Sequence, residues 1–376
     1  MRPFSWILVT TTCLAGLTGT PALANPTGGI VSAGSASIAS SGSTLTVTQS
    51  SDKAVIDWRS FNIAPTETTD FAQPSTSAIA LNRVGDVNPS VIEGQLDANG
   101  HVMIINPNGV LFTKSAQVDV GGITATTANI TNSDFMAGNF NFSQPGSPSA
   151  SVVNQGNITV VQAGLASFVA PQVENDGVIT ARLGKINLAS GDTFTLDLAG
   201  DGKLQVVVPA SQLPMQSITN TGTLAADGGA VTLSAAAASG IVHSLIVNTG
   251  VIQANSLQNA AGAVTLSATV VENTGSLTAT GGQVTVNATN IAQQGRLTAD
   301  AIAETFSGAY IDNAASQTTA NTISITGAAG SSLFASGGYT SPGGNIGMAA
   351  ETMWLYAAAL DASGTNGGGS IFLGDA

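Results

Sequence analysis

Apolar and polar residues alternate at period two in short runs along much of the chain. Thr44-Leu45-Thr46-Val47-Thr48, Ala230-Val231-Thr232-Leu233-Ser234 and Gln283-Val284-Thr285-Val286-Asn287 each put apolar residues on one side and Thr, Ser or Asn on the other. That period belongs to a strand, because successive side chains of an extended chain point to opposite faces. Gly and Asn punctuate the runs, as turn residues do. Helix signals are scarce: charged i,i+4 pairs hardly occur, and the abundant Thr, Ser, Gly, Asn and Val favour strands and turns.

From about residue 150 a longer period overlies the alternation. An Asn-x-Gly turn is followed two residues on by an apolar side chain: Asn154-Gln155-Gly156 with Ile158, Asn175-Asp176-Gly177 with Ile179, and Asn220-Thr221-Gly222 with Leu224. Asn248-Thr249-Gly250 with Ile252, Asn273-Thr274-Gly275 with Leu277, and the degenerate Gln293-Gln294-Gly295 with Leu297 continue it. The glycines lie 21, 45, 28, 25 and 20 residues apart, and the 45 reads as two periods. A period in the low twenties predicts stacked repeats. A leucine-rich repeat would need a Leu-x-x-Leu-x-Leu pattern and a helix per unit, and neither is present. A parallel β-helix needs short strands, tight Gly/Asn corners and one apolar position stacked in every coil, and this matches. Glycine is expected at these corners for its positive φ. A flat antiparallel sandwich is the alternative the same turns allow. At roughly 4.8 Å per coil, about eleven coils would make a rod on the order of 50 Å long.

Solenoid ends are unpaired strand edges and need covering. The segment from Asn25 to about Phe142 lacks the Asn-x-Gly repeat and carries the larger side chains Trp58, Phe61, Phe71 and Phe112. It reads as an N-terminal cap with the first coils. Leu360 to Gly374 offers no comparable cap, so the rod ends raw or the chain is a shortened version of a longer protein. The organisation expected is a signal peptide over 1–24, the cap and first coils over 25–150, and repeats of the same solenoid over 151–376.

Composition narrows the function. Apolar residues make up 43% of the chain and mean hydropathy is +0.29, which argues against disorder, while aromatics are only 5%. A thin core repeated many times fits that balance. Charged residues are 8% with a net charge of −13, which argues against nucleic acid and against docking on anionic lipid. Residues 1–24 read as an export signal: Arg2, the apolar stretch Ile7 to Leu17, and Ala22-Leu23-Ala24 for signal peptidase. The stretch is shorter than the about 20 apolar residues a membrane span needs. The only cysteine, Cys13, lies inside it, so the exported chain has no disulfides.

Catalytic and metal chemistry find little support. A polysaccharide-modifying β-helix gathers carboxylates on one face, whereas the densest set here, Asp192, Asp197 and Asp201, sits among turns. His101 and His243 lie far apart in unlike contexts, no Ca²⁺-binding nonapeptide repeats, and no nucleophile elbow occurs. The expectation is no catalytic residue, no metal and no cofactor. Sequons at Asn129, Asn141, Asn157 and Asn287 read as chance in a chain rich in Asn and Thr.

The most informative local motif is Asn106-Pro107-Asn108-Gly109, between apolar Met103-Ile104-Ile105 and Val110-Leu111-Phe112. Pro presets φ, Asn tolerates turn geometry and Gly closes the turn. In order around it stand Ala54-Val55-Ile56-Asp57-Trp58-Arg59-Ser60-Phe61-Asn62-Ile63, Ala80-Leu81-Asn82-Arg83-Val84, Gly94-Gln95-Leu96-Asp97-Ala98-Asn99-Gly100, Val120-Gly121-Gly122-Ile123, Ala125-Thr126-Thr127 and Asn139-Phe140-Asn141-Phe142. In these blocks the chain resembles the two-partner secretion, or haemagglutination-activity, domain at the N-terminus of filamentous haemagglutinins, and its high-molecular-weight adhesin branch in particular. The Asn-Pro-Asn-Leu marker of other haemagglutinins has no copy, and Asn88-Pro89-Ser90-Val91 is not its equivalent.

The resemblance implies a secreted, adhesin-like exoprotein of a Gram-negative cell. It would pass the Sec machinery, meet the periplasmic domains of a dedicated outer-membrane transporter unfolded, and fold outside. It carries over Asn106, Pro107, Asn108 and Gly109 as the secretion motif. Pattern and resemblance together predict an all-β, right-handed parallel β-helix (solenoid) with an N-terminal cap. The alternatives are a β-helix polysaccharide-modifying enzyme and the shortened stalk of a contact-dependent toxin.

Overall fold

The computed structural model describes residues 25–161, 163–198, 204–207, 216–235, 244–365 and 367–374. The expected signal peptide, Asp201 and His243 lie outside them. The chain is a parallel β-solenoid of about 14 turns, three more than the repeat count suggests. Residues 25–142 contribute tiers to the same stack although they lack the Asn-x-Gly signature.

Each full coil lays strands on three faces. On the first face one apolar position stacks tier upon tier: Leu96, Val118, Ile158, Ile179, Leu224, Ile252, Leu277 and Leu297 are successive register partners. On the second face Ile104, Ala125, Phe168, Leu188, Leu233, Leu266 and Val286 do the same. These columns merge into one core running from Leu45 to Ala362. Parallel in-register pairing puts like on like, so a β-branched or Leu side chain in one coil is packed by its own equivalent in the next.

The cap is built from antiparallel pairs. Strand Ile30–Ala33 pairs antiparallel with Lys53–Trp58, and Ala36–Ser41 pairs antiparallel with Thr44–Gln49, the first tier of the first face. Both edges that the first coil would expose are thereby occupied.

A second core lies outside the solenoid. Helix Asn132–Ala137, capped by the Thr131 hydroxyl and ended by Gly138 at φ 83°, precedes strand Asn141–Phe142. That strand joins Thr193–Leu196 and Leu204–Val207 in a small antiparallel sheet. Phe135, Phe140, Phe142 and Phe194 cover the outer surface of the second face, against Val55, Leu81, Met103, Ile105 and Val169. Phe142 and Phe194 stack with centroids 4.2 Å apart. Two cations pin this excursion. The Arg83 guanidinium pairs with Asp57 at 2.7 Å and donates to Asn129, Asn132 and the Ile130 carbonyl. Lys53 donates to the Met136 carbonyl and lies over the Phe140 ring.

Two expectations about the repeat are corrected. The 45-residue interval is one coil, not two: Asn175 and Asn220 are direct register partners, and the excess length carries Thr193–Leu196 and Leu204–Val207 out to the side sheet. The repeat glycines do not have positive φ; Gly156, Gly177, Gly222, Gly250, Gly275 and Gly295 are all outside that set. They are glycines because the backbone stacks too closely for a side chain. A Cβ on Gly222 would meet the Gly177 carbonyl, and one on Gly250 the Gly222 carbonyl, well under the 3.0 Å limit of real contacts.

Candidate secretion motif at a coil corner

Asn106-Pro107-Asn108-Gly109 forms the corner between the second face, which ends at Ile105, and the third, which resumes at Val110. It is a different corner from the Asn-x-Gly turns, which join third face to first. The Gly109 N–H donates to the Asn106 carbonyl at 3.0 Å, closing the turn, and the Asn108 N–H donates to Asn106 Oδ1 at 2.9 Å. Gly109 has φ 116°, and a Cβ there would stand 2.7 Å from the Ser151 carbonyl. Both the conformation and the space require glycine.

The side chains bind the coil below. Asn106 is fully buried and donates through Nδ2 to the Asn88 carbonyl at 3.0 Å and to Ser90 Oγ at 3.1 Å. Asn108 Nδ2 donates to the Asp86 carbonyl at 2.9 Å. The coil above closes over the turn, with Ser147 N–H donating to the Pro107 carbonyl at 2.8 Å. Pro107 and Asn108 are half-buried, so the four residues form one rigid wedge clamped between 86–90 and 147–151. Asn88-Pro89-Ser90 is therefore the seat of the motif rather than a second copy of it.

The other singled-out residues do not assemble. Asp192 and Asp197 bracket strand Thr193–Leu196, one at each end, on the side sheet. Partial burial raises the Asp192 pKa. His101 is buried in the solenoid wall, its Nε2 2.9 Å from Thr124 Oγ1, and burial pushes its pKa down to about 4. Among the described residues no three His, Cys, Asp or Glu side chains could hold a metal, and no helix is long and apolar enough to cross a membrane.

Three polar arrays escaped the sequence reading. The repeat asparagines form a buried amide ladder: Asn154 Nδ2 donates to Asn175 Oδ1 at 2.8 Å, Asn175 to Asn220 at 2.8 Å, Asn220 to Asn248 at 2.7 Å, Asn248 to Asn273 at 2.7 Å, and Asn273 to Gln293 Oε1 at 2.9 Å. At another corner Gln73 donates to Gln49 Oε1 at 3.1 Å and accepts from the Gly100 N–H at 3.0 Å. Outside, Asp70, Asp97 and Asp119 stack in register on the first face. Partial burial raises the Asp97 pKa, the Gln95 hydrogen bond opposes this, and Asp70 and Asp119 add to the rise. The apolar-Asp-apolar triplets Leu96-Asp97-Ala98 and Val118-Asp119-Val120, preceded by Thr69-Asp70-Phe71, were the available signal.

Known proteins share this architecture. A family model described as the TPS secretion domain matches residues 22–278. A heme/hemopexin-binding protein of Haemophilus influenzae is 33% identical over 272 residues, which is 70% of this chain and 30% of that protein. A tRNA nuclease CdiA-2 of Burkholderia pseudomallei is 30% identical over 168 residues, 44% of this chain and 5% of that protein. The chain thus spans less than a third of the length of these relatives. The crystal structure of the HMW1 secretion domain from Haemophilus influenzae superposes with a TM-score of 0.75, covering 93% of this chain and all of that one at 24% identity.

Proposed function

The chain belongs to the family of TPS secretion domains, and on that premise we propose that it directs an exoprotein through a dedicated outer-membrane transporter to the cell surface or medium. The observation that carries this reading is the family match over 22–278, which takes in the antiparallel cap, the Asn106–Gly109 corner and the first two thirds of the coils. Export begins at the inner membrane, where Sec and signal peptidase handle residues 1–24. In the periplasm the unfolded chain pairs with the transporter as an added strand.

Asn106, Pro107, Asn108 and Gly109 serve secretion through the fold they lock. Once outside, the corner joins 86–90 to 147–151 and gives later coils a finished tier to stack on. Solenoid stability is nearest-neighbour, so each emerging coil is held by the one already folded. Folding outside therefore opposes backsliding without an external energy source. The exported product acts as an adhesin in this reading.

Secretion with the cognate transporter in a Gram-negative host tests both parts. Wild type is expected in the medium, with Asn106→Ala and Asn108→Ala retained in the periplasm. Equal export of all three would reduce the motif to an ordinary corner, and export without the transporter would sink the two-partner reading. Binding of the purified chain to cells, with heme–hemopexin as a parallel ligand, tests the adhesive role separately. A contact-dependent toxin stalk is the second reading, favoured by the CdiA-2 match.

A further inference from the structure

Past the family match, one coil breaks the aliphatic stacking. On the second face the register column runs Val286, Glu304, Ile325, and on the first it runs Leu297, Thr318, Tyr339. Glu304, Tyr310, Asp312 and Tyr339 thus share the core of one coil and the next, and Glu304 and Tyr310 are fully buried. Tyr310 Oη donates to Glu304 Oε2 at 3.1 Å and lies 3.5 Å from Tyr339 Oη, which donates to Asp312 Oδ2.

The two carboxyl groups are served unequally. Asp312 also accepts from the Ser336 and Gly337 N–H groups and from Ser316 Oγ. Glu304 has the single phenol, and its Oε1 is buried without a partner, as is Thr318 Oγ1. The groups facing Glu304 are Tyr310, Asp312 and Tyr339; its register neighbours Val286 and Ile325 bring no charge. A buried carboxylate with one donor and no cation is strongly disfavoured, whereas the neutral acid brings no charge into the core.

We propose that Glu304, Tyr310, Asp312 and Tyr339 form a proton-operated lock: the coils from residue 301 onward close over Glu304 as the uncharged acid and loosen when it ionises, while earlier coils are unaffected. The electrostatics agree. Burial pushes the Glu304 carboxyl up to about 8, the Tyr310 hydrogen bond opposes this, and the Asp312 charge adds to it. A raised folded-state pKa means that closed coils hold a proton the open ones release above their ordinary value near 4.5. Closure is therefore firmest in acid and weakens as pH rises, until it levels off above about 8.

Hydrogen exchange on the full chain, corrected for intrinsic amide chemistry, reads this lock directly. In the wild type the opening constant of strands Ala309–Asp312, Thr322–Gly327 and Gly338–Thr340 is expected to rise about tenfold per pH unit between pH 5 and 8 and then flatten. Strands Ala230–Ala235 and Val251–Gln253 should hold constant. Glu304→Gln, neutral at every pH, should abolish the slope, and Tyr310→Phe, which removes the one donor to the charged form, should move the plateau to higher pH. A wild type with pH-independent opening overturns the proposal, as does Glu304→Gln with the wild-type slope. If Glu304→Gln does not fold, an unmoved plateau in Tyr310→Phe is equally decisive against it.

Discussion

A buried asparagine is costly unless its amide is satisfied. The solenoid meets this demand by stacking each asparagine on the next, so that every amide from Asn154 to Asn273 donates to the coil above. Asn220→Ala should strand the Asn175 donor and the Asn248 acceptor and cost about 3 kcal/mol, measurable by chemical denaturation. A second residue-scale prediction concerns His101. Burial holds its pKa down to about 4, against 6.5 in the unfolded chain, so the folded form keeps it neutral. The associated stability is fully present above pH 6.5 and is lost as pH falls toward 4. The thermal midpoint of the wild type should drop across that window, and that of His101→Gln should drop less. The repeat was legible because each Asn-x-Gly is local. The reason for its glycines was not, since the clashing carbonyl belongs to a residue one coil away.

At the scale of elements, burial on one face or two separates the halves of the rod. Strands Lys53–Trp58, Ile79–Val84, Leu165–Ala170 and Lys185–Ser190 are buried in near-continuous runs, whereas Ala230–Ala235 alternates. The runs Ala54-Val55-Ile56 and Met103-Ile104-Ile105 already broke alternation in the sequence, the mark of a strand covered on both sides. What covers them was hidden, because Phe142 and Phe194 are joined only by folding. Phe194→Ala should cost about 3–5 kcal/mol and melt the side sheet first. Proteolysis within 128–142 should accelerate while the solenoid core keeps its circular-dichroism signal. Equal loss of both would mean that side sheet and rod unfold as one unit.

For the whole molecule, order of assembly follows from capping. Antiparallel strands seal the edge that would otherwise lie open before the first coil. Deleting residues 26–41 uncovers the edges of Thr44–Gln49 and Lys53–Trp58, and an exposed parallel edge is a template for association. The deletion variant should scatter light increasingly with time at concentrations where the intact chain stays clear. An unchanged scattering trace would assign the protection to other elements. The same sealing makes the cap the natural starting point for coil-by-coil growth of the solenoid.

The alternation, the Asn-x-Gly period and the motif blocks determined the strand content, the stacked architecture and the family, because each is written in residues close together in the chain. Tertiary structure alone decided that the 45-residue interval is one coil with a lateral sheet, that the glycines answer to close approach, and that Asp70, Asp97 and Asp119 meet. It also decided that Glu304 lies in the core facing Tyr310 and Asp312. In a solenoid every such contact depends on which residue one coil beneath another falls into register, and loops of unequal length erase that register from the linear sequence.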